Sequence, residues 1–460
     1  MSDTSERISI KEKIGYGLGD MAANFIFQTM LVFQLSFYTD TFGLAAAVAG
    51  TLFLVVSVGG AFFDPIMGIV ADRTATRWGK FRPWVIWTAL PFGIMGVLAF
   101  TTPGFSPGGK LVYAYVTYIL LTAIYSANNV PYSALSGVIT GDLDQRTSLL
   151  SYRQVFANSA AFIVQGLAIP MLNYFGQGNR AKGYQMTMGL FSLLCVIFFC
   201  ITFVTTKERI QPDPGQKSSL KQDLADLGHN GPWIALFMLT LFLFIGLSLR
   251  SGVMVYYFKY YVGQEDLFSL FNVFGLGSLI VGVIVSGALS SRFGKRAVFI
   301  AGLSVTTVFS LLLIAMTPSA IVVTFAIEVI RQFAWGWTAP LLWAMMADVA
   351  DYSEWRTGRR ATAMVFAATV FALKAGLGFG RAIAGWLLSL YGYVANASQT
   401  PDALLGIRMI GSVFTAVAFV AGVVCLLFYK IDKQLNIRIT DELAERRKKY
   451  PSAPPLTATS

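Results

Sequence analysis

The chain has 460 residues, 55% hydrophobic and only 13% charged, with a formal net charge of +11. A soluble domain carries roughly twice that charged fraction, so the composition describes a lipid-facing protein, and its excess of basic residues fits membrane topology rather than nucleic-acid binding. The single histidine, His229, excludes a histidine metal cluster, and Cys195, Cys200 and Cys425 all lie in apolar runs, as small core residues do.

The first segment, Met1–Lys13, is polar and has no apolar run of signal-peptide type, so the first span is expected to act as its own insertion signal. About 20 apolar residues cross a hydrocarbon core. Twelve such runs follow in order: Ile14–Tyr38, Ala45–Ala71, Trp84–Thr101, Leu111–Leu135, Gln154–Leu172, Tyr184–Thr206, Pro232–Val262, Leu267–Ser290, Ala297–Met316, Ala320–Ala347, Ala361–Leu390 and Gly406–Tyr429. All are predicted helices, because an open sheet leaves backbone groups unsatisfied in lipid.

Lys and Arg alternate in step with these spans. Arg73–Arg82 holds four, Lys207–Lys221 four, Arg292–Arg296 three, Arg356–Arg360 three and Lys430–Lys449 seven, while Asp40–Leu44 and Thr317–Ser319 hold none. The basic side is predicted to be cytoplasmic, with both termini on it. The expected organisation is an N-terminal six-helix bundle over residues 1–206, a cytoplasmic linker over 207–231, a C-terminal bundle over 232–430 and a cytoplasmic tail over 431–460, whose end, Pro451–Ser460, is polar and predicted to be disordered. Gly68-Ile-Val-Ala-Asp72-Arg73 with Arg77-Trp78-Gly79-Lys80 after the second span is echoed by Gly287-Ala-Leu-Ser-Ser291-Arg292-Phe293-Gly294-Lys295-Arg296 after the eighth. A repeat of two halves is the plan on which secondary transporters alternate access around a midplane site.

The segment from Asp64-Pro65 through Gly68, Asp72-Arg73, Arg77-Trp78-Gly79-Lys80 to Phe81-Arg82-Pro83-Trp84 resembles the glycoside–pentoside–hexuronide:cation symporter family, which includes the melibiose permease and belongs to the major facilitator superfamily. Gly15-Tyr16-Gly17-Leu18-Gly19-Asp20, Phe37-Tyr38-Thr39-Asp40, Asn129-Val130-Pro131-Tyr132, Ser151-Tyr152-Arg153 and Ala347-Asp348-Val-Ala-Asp351-Tyr352-Ser-Glu354-Trp355 extend the likeness over roughly Ile8 to Tyr429, and within the family it is most similar to xyloside and related pentoside permeases. The resemblance implies an all-α integral membrane protein, twelve transmembrane helices in two six-helix bundles, importing a sugar or glycoside with sodium, protons or lithium through a central site.

Ionisable groups inside spans are costly and mark function. Asp20 and Asn24, at i and i+4, share a helix face and suit sugar hydroxyls; the plain alternative is an interhelical hydrogen bond. The residue matching Asn24 in the melibiose permease is acidic, so galactoside specificity does not carry over. Tyr125, Asn128 and Asn129 in the fourth span supply donors and acceptors. Arg153 resembles a family arginine near the sugar, and Trp343 offers a face for a pyranose ring or for ordinary packing.

Asp64 is the candidate for cation or proton coupling, with Lys374 as its partner; the alternatives are a structural ion pair and a snorkelling lysine. The family has a second acid one turn earlier, where this chain has Gly60, and Ser57 replaces a usual Arg. The loss favours protons, or sodium held by a rearranged site, and also allows weakly coupled transport. Asp72, Arg73, Arg77, Asp348, Asp351, Glu354 and Arg360, with Arg356 and Arg359 beside them, are expected to form ion pairs that close the cytoplasmic side in the outward-open state; a solvated loop is the alternative. Arg250, Arg331 and Arg381 lie in or near spans without an assigned role.

The expected cargo is a small-molecule glycoside. No cofactor is expected beyond Na+ or H+ as coupling ion, no nucleic-acid partner, and the lipid bilayer is the environment of a functional monomer in the cell inner membrane. A non-sugar solute or lysolipid carrier on the same fold is the alternative. No phosphate loop or nucleophile elbow is present, so an enzyme is not expected.

Overall fold

The apolar runs become helices because lipid offers their N–H and C=O groups no partner and the intrahelical ladder satisfies them. The computed structural model describes residues 8–140, 142–209, 228, 230–357 and 362–449. Among the described residues no strand is formed; Thr76 and Gly79 make one isolated bridge. Most of the 207–231 linker, His229, Arg359, Arg360 and Pro451–Ser460 lie outside the described residues.

The first six helices are α1 (Ile10–Ser36), α2 (Ala46–Arg73), α3 (Arg82–Ala99), α4 (Pro107–Ile139), α5 (Leu143–Gly176) and α6 (Arg180–Thr205). The second six are α7 (Gly231–Tyr256), α8 (Leu267–Phe293), α9 (Lys295–Leu312), α10 (Ile321–Thr357), α11 (Thr362–Leu390) and α12, which runs from Pro401 to Phe428 through a π turn at Ile410–Phe414. A thirteenth, α13 (Lys433–Lys449), docks on the end of α10, where Trp355 Nε1 donates to Glu442 Oε2 at 2.7 Å and Ile439 and Leu443 are buried.

Among the described residues eleven helices are long and apolar enough to cross a membrane. The remaining one, α10, falls short because Glu328, Arg331 and Gln332 interrupt its apolar run. Hydropathy also misjudged where two helices end. α5 begins at Leu143 rather than Gln154, and α10 continues to Thr357 rather than stopping at Ala347. The added turns are polar and charged helix, which an apolar window does not register.

The two halves repeat in their endings as well as their loops. α1 continues into a π turn at Phe37–Phe42 closed by Gly43 at φ 87°, and α7 into a π turn at Tyr257–Val262 closed by Gly263 at φ 75°. Both glycines occupy the left-handed region that a side chain resists.

Within the first half α1 packs on α5 and α6; within the second, α7 packs on α11 and α12, and α10 on α8 and α9. The halves meet where α2 runs along α11, α5 along α8 and α1 along α7. On α2 the contacts recur every seven residues. A Cβ on Gly385 would lie 2.4 Å from the carbonyl oxygen of Ala46, beside Gly50, and one on Gly378 would lie 2.3 Å from Ser57 Cβ. Glycine is required there so that two backbones can approach. One heptad beyond Ser57 stands Asp64, which meets Lys374.

Further bonds tie the halves at the face opposite the basic loops, called here the far face. Asp40 accepts from Lys259, from Tyr260 at 2.7 Å and from Tyr393, while Asn396 donates to its backbone oxygen. Thr39 and Tyr256 share a hydrogen bond of 2.8 Å, Asn173 Nδ2 donates to Asp266 at 2.8 Å, and Arg180 pairs with Glu265. The two halves are thus held together at the far face. Burial, with Tyr256 and Asp40 alongside, raises the Tyr393 phenol far above its ordinary value, so it remains a donor to Asp40.

Candidate transport site

α1 is enclosed on nearly all sides, with Tyr16, Ala22, Phe25, Ile26 and Phe33 fully or almost fully buried. Its partly open positions, Leu18, Met21, Asn24, Phe27, Gln28 and Leu31, recur at three and four residues and form one stripe. That stripe faces the space between the two halves.

Asp20 borders it and is 8% exposed. Arg153 on α5 reaches its carboxylate with Nε at 3.1 Å and Nη2 at 3.4 Å, donates to Ser133 Oγ at 3.3 Å, and lies 5.0 Å over the Tyr132 ring. Tyr132 in turn stacks on Tyr16 at 4.7 Å. Asp20 and Arg153 are therefore one fixed unit holding acceptor and donor side by side, the chemistry a vicinal diol needs.

Asn24 donates to the Asp20 carbonyl at 2.8 Å, and Gln28 donates to Asn24 Oδ1 at 3.4 Å. Gln165 on α5 continues the row to Gln28 Oε1, also at 3.4 Å. Gln28 and Gln165 escaped the sequence reading. The signal for Gln28 was available, since it stands at i+8 from Asp20. Gln165 became assignable only once α5 was seen to lie on α1.

The candidates on α4 separate. Tyr125 stacks on Phe27 at 5.5 Å and lines a cavity between the halves. Asn128 points the other way: it is buried, with Nδ2 donating to Thr88 Oγ1 on α3 at 2.7 Å, so it joins packed helices rather than the stripe. Consecutive helical residues point about 100° apart, and Asn129, half-buried, has no hydrogen-bond partner among the described residues. Trp343 on α10 is 47% exposed, with no aromatic partner among the described residues.

Asp64 and Lys374 form the expected pair, bridging α2 and α11. The lysine uses Oδ2; Oδ1 is buried and has no partner among the described residues. The second half carries a group that the sequence reading left unplaced. Glu328 accepts from Arg250 and, at 2.7 and 2.9 Å, from Arg331, and Arg250 also donates to Gly411 O at 2.9 Å. These three residues are at most 5% exposed and brace α7 against α10.

The residues expected to close the basic face are placed as follows. Asp348 is held by Lys295 at 2.7 Å within its own half, so in this state it does not bridge the halves. Arg73 and Arg77 are exposed, with Arg77 lying 4.9 Å over Trp78. Asp72 stands on the last turn of α2, and Asp351 and Glu354 on the last turns of α10. Glu208 was not foreseen; its carboxylate caps α3 by accepting from the backbone nitrogens of Lys80, Phe81 and Arg82 at 2.7–2.8 Å.

Twelve helices in two repeated halves, with a polar central stripe and an ion pair on the seam, define a secondary transporter of the major facilitator type. A family model described as MFS/sugar transport protein matches residues 15–433, and the chain belongs to that family, in its glycoside–pentoside–hexuronide:cation symporter branch. It is 37% identical to the inner membrane symporter YicJ of Escherichia coli (strain K12), over 97% of each chain. It is 37% identical to the putative glycoside/cation symporter YagG of the same organism, over 99% of each. The isoprimeverose transporter of Lactiplantibacillus pentosus is 37% identical over 92% of this chain and 89% of that one. Among solved structures, a D-xylose-proton symporter superposes with a TM-score of 0.65 at 14% identity, covering 91% of this chain and 97% of that one, which shows the shared fold.

Proposed function

We propose that the protein imports a glycoside of the pentoside or xyloside type together with a proton, by alternating access in the cell inner membrane. Both termini are then cytoplasmic by the positive-inside rule, and the far face is periplasmic. The observation that carries the proton is the Asp64–Lys374 pair on the seam between the halves, with Asp64 Oδ1 buried and free. A half-buried carboxylate whose lysine partner sits on the other half links its own ionisation to how the halves are held.

Protonation of Asp64 removes the attraction to Lys374 and frees the seam to part. Loss of the proton to the cytoplasm restores the pair and favours the closed seam seen here. Sodium is the weaker candidate. It takes several oxygen ligands, and no group of three acidic, histidine or cysteine side chains is found among the described residues. Asp20, Arg153, Asn24 and Gln28 present an unbroken row of hydrogen-bonding groups, which suits sugar hydroxyls and offers nothing to an acyl chain.

The relatives named above as a glycoside/cation symporter and an isoprimeverose transporter support this cargo class. The test is uptake of a panel of labelled pentosides and xylosides into membrane vesicles under an imposed proton or sodium gradient. Accumulation driven by the proton gradient is expected. Accumulation of no glycoside under either gradient would sink the reading in favour of a non-sugar carrier.

A further inference from the structure

Arg381 lies two turns along α11 from Lys374 and is 7% exposed. Its Nη1 donates to Tyr118 Oη at 2.6 Å, its Nε donates to the Leu377 carbonyl at 3.3 Å, and its guanidinium sits 5.1 Å over the Phe53 ring. Every one of these partners is neutral. A guanidinium cannot shed its proton in a protein, and a buried charge without a counter-charge is costly.

The surroundings do not supply that counter-charge. Phe27, Ser57, Tyr118, Tyr125, Lys374 and Arg381 line one cavity between the halves, of about 70 Å³ and partly open to solvent. Asp64 offsets Lys374. Asp20 is offset by Arg153. Gly60, also on the wall, contributes no acid. Among the described residues the cavity therefore carries one cation in excess.

The second half holds another excess cation, in the Arg250–Glu328–Arg331 group, but those side chains are sealed among helices and do not reach this cavity. Arg381 does reach it. Tyr118 spends an oxygen lone pair on Arg381, so its own O–H is left to donate, beside the arginine.

We propose that this cavity binds a small monovalent anion, a halide or a carboxylate, with Arg381 as its counter-charge and the Tyr118 hydroxyl as a donor. The anion is a free ion of the solution, so its binding does not rest on the glycoside reading.

The test uses the purified full-length protein and measures binding of sodium chloride and sodium acetate by calorimetry, with sodium sulfate holding ionic strength constant. Saturable binding of chloride or of acetate is expected. Either is expected to weaken at least tenfold in Arg381→Gln. Tyr118→Phe, which keeps the charge and removes only the hydroxyl, is expected to weaken it severalfold and serves if the arginine variant does not fold. Saturation by neither salt, or undiminished affinity in a folded Arg381→Gln or in Tyr118→Phe, would overturn the proposal. Uptake of a neutral xyloside, followed in parallel, reports on the transport reading alone, so either idea can fail without the other.

Discussion

Asp64 offers one oxygen to Lys374 and keeps the other free, and the coupling argument reduces to what that oxygen binds. If it takes the proton, Asp64→Asn is fixed in the protonated-like state. That variant should lose accumulation against a gradient yet still exchange labelled for unlabelled glycoside across the membrane. Full accumulation by the variant would remove Asp64 from the mechanism. Gly60 gives the complementary prediction. A Cβ there would meet only Thr122 Cγ2, at 3.4 Å, an ordinary contact, so the position has room for an acid one turn from Asp64. Gly60→Asp supplies a second carboxylate for a hard cation, and uptake by that variant should become stimulated by sodium at fixed pH. Uptake indifferent to sodium would show that the missing acid is not what sets ion choice. At Asp20 the expectation is different again. Asp20→Ala leaves Arg153 uncompensated; the loss is about 3–5 kcal/mol for a fully buried pair and smaller here, because the Arg153 side chain is 22% exposed. Both the thermal midpoint and glycoside binding should fall, whereas a merely structural pair would leave the affinity of the folded fraction unchanged.

At the scale of elements, the seam between α2 and α11 decides how closely the halves approach. Gly385→Leu would drive a side chain into the Ala46 carbonyl. Overpacking of this kind costs about 1–3 kcal/mol, charged here only to the closed seam. The variant should therefore favour the state open at the far face and accumulate glycoside more slowly, as seen by uptake and by labelling of a cysteine placed on the α1 stripe. These same elements show what hydropathy and spacing reveal. The twelve runs were legible because lipid forces apolar residues outward, and the Asp64–Lys374 pair was legible because each is a lone charge in an apolar span. Asn128 was misread, since its neighbour Asn129 and Pro131 belong to one motif and spacing alone does not tell which amide faces α3. Glu328 was hidden by the low hydropathy that it gives to α10, and Gln165 by the need to know which helix lies beside α1. Contacts between distant helices carry no local signal in the chain.

For the whole molecule the question is what holds one of two arrangements. The far face is bound by Asp40, which gathers Lys259, Tyr260, Tyr393 and the Asn396 amide from the other half. Asp40, Lys259 and Tyr260 sit on the two equivalent π turns, so that part of the clasp is built by the repeat itself, while Tyr393 and Asn396 reach it from the loop between α11 and α12. Nothing in it touches the polar stripe around Asp20. Loss of the clasp should thus change the balance of states without changing the affinity of either. A hydrogen bond to a charged group contributes about 1.5–3 kcal/mol, enough to move a two-state balance roughly ten- to a hundredfold. Asp40→Asn keeps the shape and removes the charge. In a protein carrying Gln28→Cys, with Cys200 and Cys425 replaced by serine, an impermeant thiol reagent added from the periplasmic side should label about tenfold faster when Asp40→Asn is present, while glycoside affinity at equilibrium changes only by the shift in population. Lys259→Met should produce the same increase, and the double variant little more, because both remove one ion pair. Additive effects would mean that Asp40 and Lys259 hold the far face independently, through other partners.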